Sequence, residues 1–167
     1  MGGVNARGYT SLQLGTALRL HGCTSNLLDD ITGADSIPPP SFYPSFCIVN
    51  TSSDPSISGH WLLIYAETKA SALEFFDSLG EKPSHYSSHI ENYLKAYSSP
   101  TFITNSFKIQ PSNSFNCGLF CAYMADRRAQ GEPFSSVMHH FKRDDLEYND
   151  HLVENYYRKH ICARPRA

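Results

Sequence analysis

The stretch His60-Trp-Leu-Leu-Ile-Tyr-Ala66 constrains the fold more than any other feature of the chain. After the histidine it is apolar without interruption. It follows a polar loop, residues 51–59, that contains Pro55 and Gly59. Buried strands read this way, whereas half-exposed strands alternate. No apolar stretch is long enough to cross a bilayer as a helix. A sheet therefore has to be built around this strand. Residues 46–50 (FCIVN) form a second strand, residues 72–76 (ALEFF) fold back on the first as a hairpin partner, and residues 102–110 form another.

Helical segments lie before and after these strands. Over residues 11–21, Leu14, Ala17, Leu18 and His21 share a face and Gly22 suits the stop. Residues 84–98 carry a stripe of Tyr86, Ile90, Tyr93, Leu94 and Tyr97. Residues 117–130 present Leu119, Phe120, Tyr123 and Met124, and end at Gly131 and Pro133. Two more helices are expected over residues 133–141 and 145–160. Residues 24–44 read as loop, because Pro38, Pro39, Pro40 and Pro44 bar regular structure there. The class is α+β: one domain over residues 1–167, with a small central mixed sheet flanked by helices.

A hydrophobic share of 41% with 13% aromatics excludes a disordered chain. A net charge of -2 leaves no global field for nucleic acid, so DNA could be held only locally. The candidate cations are Lys142-Arg143, Arg158-Lys159 and Arg164 with Arg166. The five cysteines are odd in number and irregularly spaced, and residues 1–10 lack an apolar core. Reduced thiols in a chain that is not secreted fit these facts best.

The densest chemical signal is Gln110-Pro-Ser-Asn-Ser-Phe-Asn-Cys117-Gly-Leu-Phe. A polar loop leads into a cysteine that opens an apolar helix. Unpaired N–H groups and the dipole at a helix start stabilise a thiolate, the nucleophilic form. Gly118 lets a substrate backbone come close. Of eight histidines, His60 stands where a loop enters the buried strand, so its imidazole has a rigid base. Asp77 follows the hairpin partner and lands beside His60 once the hairpin closes; it can orient the ring. The Cys117 N–H and the Gln110 amide can meet a developing oxyanion. Each residue also has a plain structural reading. Cys117 could be a small buried hydrophobe, His60 a satisfied histidine, Asp77 a turn residue and Gln110 a surface amide. Four such signals in compatible places favour catalysis. The order His, Asp, Gln, Cys differs from papain-type enzymes, whose cysteine comes first.

Gly59-His60-Trp61, Phe76-Asp77-Ser78-Leu79-Gly80 and the segment from Gln110 to Cys121 resemble the adenovirus protease family (adenain) and, more distantly, the SUMO-specific Ulp1-like peptidases. Cys47-Ile-Val-Asn-Thr51, the step from Gln110 to Cys117 and the string Cys117-Gly-Leu-Phe-Cys121 favour the adenain side. The resemblance implies an adenain-like fold with the catalytic Cys117 at the start of a central helix. It implies His60, Asp77, Gln110 and Cys117 in the four roles above, with Trp61, Gly118 and Asn116 lining the substrate cleft. It further implies a DNA-virus maturation protease that cuts viral precursor polypeptides at glycine-containing sites. Such an enzyme would act in the host nucleus or cytoplasm and in the virion. It would be a monomer that touches no membrane.

The adenovirus enzymes place between their counterparts of Asp77 and Cys117 a cysteine that pairs with an activating peptide. This chain has none there. No required cofactor and no disulfide-linked peptide are therefore expected, though DNA or a peptide could stimulate. Three other readings stand beside this one. A Ulp1-like isopeptidase acting on ubiquitin or SUMO conjugates would share the mechanism. A DNA- or capsid-binding virion protein with a vestigial site would not keep all four residues. A zinc module on Cys117, Cys121, His139 and His140 fits no standard spacing, so no metal is assigned.

Overall fold

The computed structural model describes residues 8–54, 59–98 and 101–162. Among them, five strands form one sheet in chain order: β1 (Leu28–Gly33), β2 (Ser45–Asn50), β3 (Trp61–Ala66), β4 (Glu74–Phe76) and β5 (Ile103–Thr104). β1 runs parallel to β2 and β4 parallel to β5, while β3 is antiparallel to both its neighbours. The sheet is mixed, and the apolar run is its central strand. Six helices accompany it among the described residues: α1 (Ser11–Leu20), α2 (Pro83–Tyr86), α3 (Ser88–Tyr97), α4 (Cys117–Ala129), α5 (Phe134–Met138) and α6 (Leu146–Tyr156). A π turn over Tyr157–Ile161 continues α6.

The unbroken apolar pattern of β3 has a direct cause: both faces are covered. Trp61, Leu63 and Tyr65 share a core with Leu14 and Leu18 of α1 and with the apolar residues of α4. Leu62, Ile64 and Ala66 turn the other way, against Ile90, Tyr93 and Leu94 of α3. α4 lies so deep that only Arg127 and Ala129 reach partial exposure. Near its far end Arg128 donates to Glu74 of β4 at 2.8 Å and to Glu67 at 2.9 Å, with its guanidinium over the Tyr65 ring. A buried cation needs such partners, and they fix α4 across β3 and β4. At the start of α1, Thr10 and Gln13 form a reciprocal capping box.

Three segments differ from the sequence expectation. Residues 28–33, expected as loop, form β1. This edge strand carries Asp29 and Asp30 at partly exposed positions, so no apolar pattern marks it. The single helix expected over residues 84–98 breaks at Ser87, whose backbone is extended and whose hydroxyl accepts from His89 N to cap α3. Of residues 102–110 only Ile103–Thr104 pair as a strand, because the later backbone donors turn to the loop after β4. Ile109 N and Gln110 N both donate to the Ser78 carbonyl. Among the described residues no helix is long and apolar enough to cross a membrane. Pro55, Arg164 and Arg166 lie outside the described residues.

Candidate active site

The site lies where β3, the loop after β4 and the start of α4 meet. Cys117 is the first residue of α4 and is 8% exposed, buried without being sealed. Asn116 precedes it, and its carbonyl accepts from Leu119 N and Phe120 N to start the helix. The Asn116 side chain does not cap the helix. Its amide donates instead to Asp150 and Glu154 of α6, each at 3.0 Å. Ser114 Oγ donates to the other Asp150 oxygen at 2.5 Å and accepts from Asn116 N. α6 thus holds the loop in front of Cys117 from outside. A helix start of this kind presents the N–H groups of its first residues, here Cys117 and Gly118, towards negative charge.

Gly118 has a packing reason to be glycine. A Cβ there would come within 2.9 Å of Leu14 and 3.3 Å of Trp61, so the missing side chain lets α4 settle on α1 and β3. Trp61 is buried at 3% exposure, and its ring N–H donates to the Tyr9 carbonyl at 2.9 Å. The structure therefore places Trp61 and Gly118 beneath Cys117, within the packing, and Asn116 at the surface-facing loop.

His60 sits one residue before β3. Its N–H donates to Thr51 Oγ1 and its carbonyl accepts from Thr51 N, which extends the β2–β3 ladder up to the imidazole-bearing residue. Gly59 allows that tight approach, since a Cβ would fall 2.0 Å from Asn50 Oδ1. The imidazole Nε2 meets Asp77 Oδ1 at 2.5 Å. Cys117 lies close enough to the ring to act on its protonation in the same sense as Asp77. Burial pulls the imidazole towards its neutral form. The hydrogen bonds and charges of Asp77 and Cys117 outweigh that and raise the pKa to about 9.

Asp77 has no exposed surface, so its charge survives only through its partners. It accepts from Leu79 N at 2.9 Å, Glu81 N at 3.0 Å and the Tyr86 hydroxyl at 2.6 Å, besides His60. Burial raises its pKa, and His60, Tyr86 and the Leu79 amide reverse this to a net lowering. Asn105 fixes the Asp77 backbone from both sides, accepting from its N–H and donating to its carbonyl. Gly80, at φ +72, brings the loop against Phe107 and Lys108, where a Cβ would clash at 2.4 Å.

Gln110 is 3% exposed and bridges the two halves. Its Oε1 accepts from Ser78 Oγ at 2.5 Å, on the Asp77 side. That fixes the amide so that Nε2 points towards the loop before Cys117, donating to Ser114 O at 2.9 Å. A primary amide has a second N–H to give.

The structure thus bonds His60 to Asp77, sets Cys117 near them at the start of α4, and ties Gln110 to both flanking loops. The sequence reading missed Ser78, Tyr86, Asn105, Asp150 and Glu154. Tyr86 stood out only as part of an apolar stripe, while its hydroxyl serves Asp77 and its ring lies 5.5 Å from that of His60. The other histidines lie elsewhere: His85, His89, His139, His151 and His160 are exposed, and His140 bonds Tyr123 and Glu132. All five cysteines are free thiols.

No family model matches the chain, and no curated protein matches it. Among solved structures it is similar to two crystal structures of the ASFV pS273R protease, one of them with selenomethionine. Identity is 18% in both, with TM-scores of 0.43 and 0.42; 72% and 70% of this chain are covered, against 44% and 42% of theirs. The chain spans less than half the length of these proteins.

Proposed function

We propose that this chain is a cysteine endopeptidase acting through Cys117, His60, Asp77 and Gln110. The observation that carries the reading is the position of His60: one ring nitrogen on a buried carboxylate at 2.5 Å, with Cys117 near the ring at the start of a buried helix. An imidazole with its pKa raised to about 9 is protonated at neutral pH. It then serves as the acid for the leaving group, and the attacking form of the nucleophile is the Cys117 thiolate.

The thiolate sulfur attacks the substrate carbonyl carbon. A C–S bond forms and the carbonyl π pair moves to oxygen. The oxyanion is met by the Cys117 N–H and the second N–H of Gln110. Collapse breaks the C–N bond as His60 passes its proton to the leaving amine. Neutral His60 then takes a proton from water, whose oxygen attacks the thioester. The acid departs and the starting forms of Cys117 and His60 are restored. Asp77 stays ionised and keeps the imidazolium oriented.

The finer assignment is an adenain-like maturation protease of a DNA virus, cutting virion precursor proteins at glycine-containing sites. Its support is the likeness of Gly59-His60-Trp61, Phe76-Asp77-Ser78-Leu79-Gly80 and the Gln110-to-Cys121 segment to that family. The test is a substrate panel with the purified protein and its Cys117→Ala variant. Cleavage of glycine-containing viral-type peptides, lost in the variant, is expected. Cleavage confined to ubiquitin or SUMO conjugates would replace maturation by an isopeptidase role. No turnover of either, with no labelling of Cys117 by an electrophilic peptide, would leave a vestigial site.

A further inference from the structure

Among the described residues, one group of His, Cys and Asp side chains outside the catalytic site places its ligand atoms together: His21, Cys23 and Asp126. One nitrogen or oxygen or sulfur from each lies within 4.8 Å of the others. We propose that these three residues form a binding site for a zinc-like divalent cation that pins the turn after α1 to the far end of α4.

Four observations carry this. The first is geometry. His21 Nε2 and Asp126 Oδ1 are 2.7 Å apart. Tetrahedral zinc would set nitrogen and oxygen about 3.3 Å apart and each about 3.6 Å from sulfur. The nitrogen and oxygen must part by about 0.6 Å and the sulfur close in by at most about 1.2 Å to set the trio on an ion, with water as fourth ligand. The second is donor chemistry. Sulfur, imidazole and carboxylate together suit zinc and exclude the all-oxygen cations calcium and magnesium. A thiolate and a carboxylate also neutralise a doubly charged ion.

The third is support behind the ligands. Asp126 has no exposed surface, and its second oxygen accepts from Gln130 Nε2 at 3.0 Å and from the Tyr156 hydroxyl of α6 at 2.5 Å. Such outer partners orient a ligating carboxylate. The turn is held too: Thr24 N and Ser25 N donate to the His21 carbonyl, and Thr24 Oγ1 donates to the Leu18 carbonyl at 2.6 Å. The fourth is polarity. His21 is the C-cap of α1, and Asp126 lies in the last turn of α4, so the negative ends of two helices converge on the trio. That field favours a cation. Asp126 lies nine residues after Cys117, about 13 Å along α4, so the ion would stabilise the fold and take no part in the chemistry at Cys117. The proposal does not rest on the peptidase reading.

The experiment titrates chelator-treated full chain, carrying Cys117→Ala to silence the other partly accessible Cys–His pair, with Co²⁺ and then Zn²⁺. A thiolate-to-cobalt charge-transfer band that saturates at one ion per chain is expected. Zn²⁺ should displace it and raise Tm. Cys23 is exposed, so adding Cys23→Ala leaves the packing alone; it should abolish both the band and the Tm rise. Asp126→Asn should do the same if it folds. No band, or a band and Tm rise that persist without Cys23, overturns the site.

Discussion

The molecule contains two buried-carboxylate–histidine pairs, each with a cysteine nearby, and their surroundings differ in one decisive respect. At His60–Asp77 the cysteine opens a helix; at His21–Asp126 it follows the end of one helix and faces the end of another. Both carboxylates are fully buried, and the His–Asp distances are 2.5 and 2.7 Å. Residue types and the His–Asp distance therefore do not separate them. Helix direction does. Unpaired N–H groups beside Cys117 favour a thiolate and then an oxyanion, while carbonyl ends beside Cys23 favour a bound cation. The same trio suits nucleophilic attack in one place and metal ligation in the other.

The largest expected effect separates the two cysteines. Cys117→Ala should abolish turnover with the fold intact, and Cys23→Ala should leave turnover unchanged. A steady-state assay with a glycine-containing peptide reads both. Equal losses would break the comparison, because Cys23 would then share the chemistry. The two aspartates should divide in the same way. Asp77→Asn should lower kcat/KM by about 10²–10⁴, since the ring loses its orienting charge. Asp126→Asn should lower Tm and leave kcat/KM in place. Gln110→Ala should cost about 10²–10³ in kcat. A rise in KM alone would make Gln110 a binding residue.

How much of this was legible follows from the range of the interactions. The catalytic strings could be read because each sits at an element boundary: His60 before a buried strand, Asp77 after its hairpin partner, Cys117 at a helix start. The hairpin alone brought Asp77 to His60, and β3 and β4 do pair, with Leu63 opposite Phe76. The supporting contacts had no local signature. Asp150 reaches Ser114 and Asn116 across 36 and 34 residues, and His21 reaches Asp126 across 105. A surface-looking Asp on an amphipathic helix reads the same whether or not a loop lands on it. β1 escaped for a related reason, since Asp29 and Asp30 interrupt the apolar pattern of a strand whose core contacts are made by Leu28 and Ile31.

The pH profile sharpens the comparison from the electrostatic side. His60 has its pKa raised to about 9, above the unfolded value of about 6.5. The stability it contributes is complete below the unfolded value and is lost as pH rises through about 9. The imidazolium that protonates the leaving amine is lost over the same range, so kcat/KM should fall there too. Asp77 is shifted the other way, so its contribution is present above the ordinary carboxylate range and disappears as pH falls below it. A basic limb near pH 6.5, the free-imidazole value, would show that Asp77 and Cys117 do not hold the proton on the ring.

The smallest effect concerns activation. Of the five thiols, Cys47 and Cys121 are buried, and burial pushes Cys47 up to about 12 and Cys121 well above its ordinary value. Neither can exchange disulfides readily. Apart from the nucleophile, that leaves the exposed Cys23 and Cys162 as attachment points for an activating peptide. The proposed ion would occupy the first. DNA fares little better. Lys142 and Arg143 are followed directly by Asp144 and Asp145, and they lie over the rings of Tyr148 and Phe107. A contact through so few cations on a chain of net charge -2 is weak and is screened within about 10 Å at 0.1 M salt. Purified protein under reducing conditions should therefore show basal activity without any peptide. DNA should stimulate it modestly, and less at each step of a salt series. An enzyme that stays silent until an oxidised, cysteine-bearing peptide is supplied, and that loses this response in Cys23→Ala, would move Cys23 from the metal site to the activation machinery. The two cysteines would then be coupled through α4.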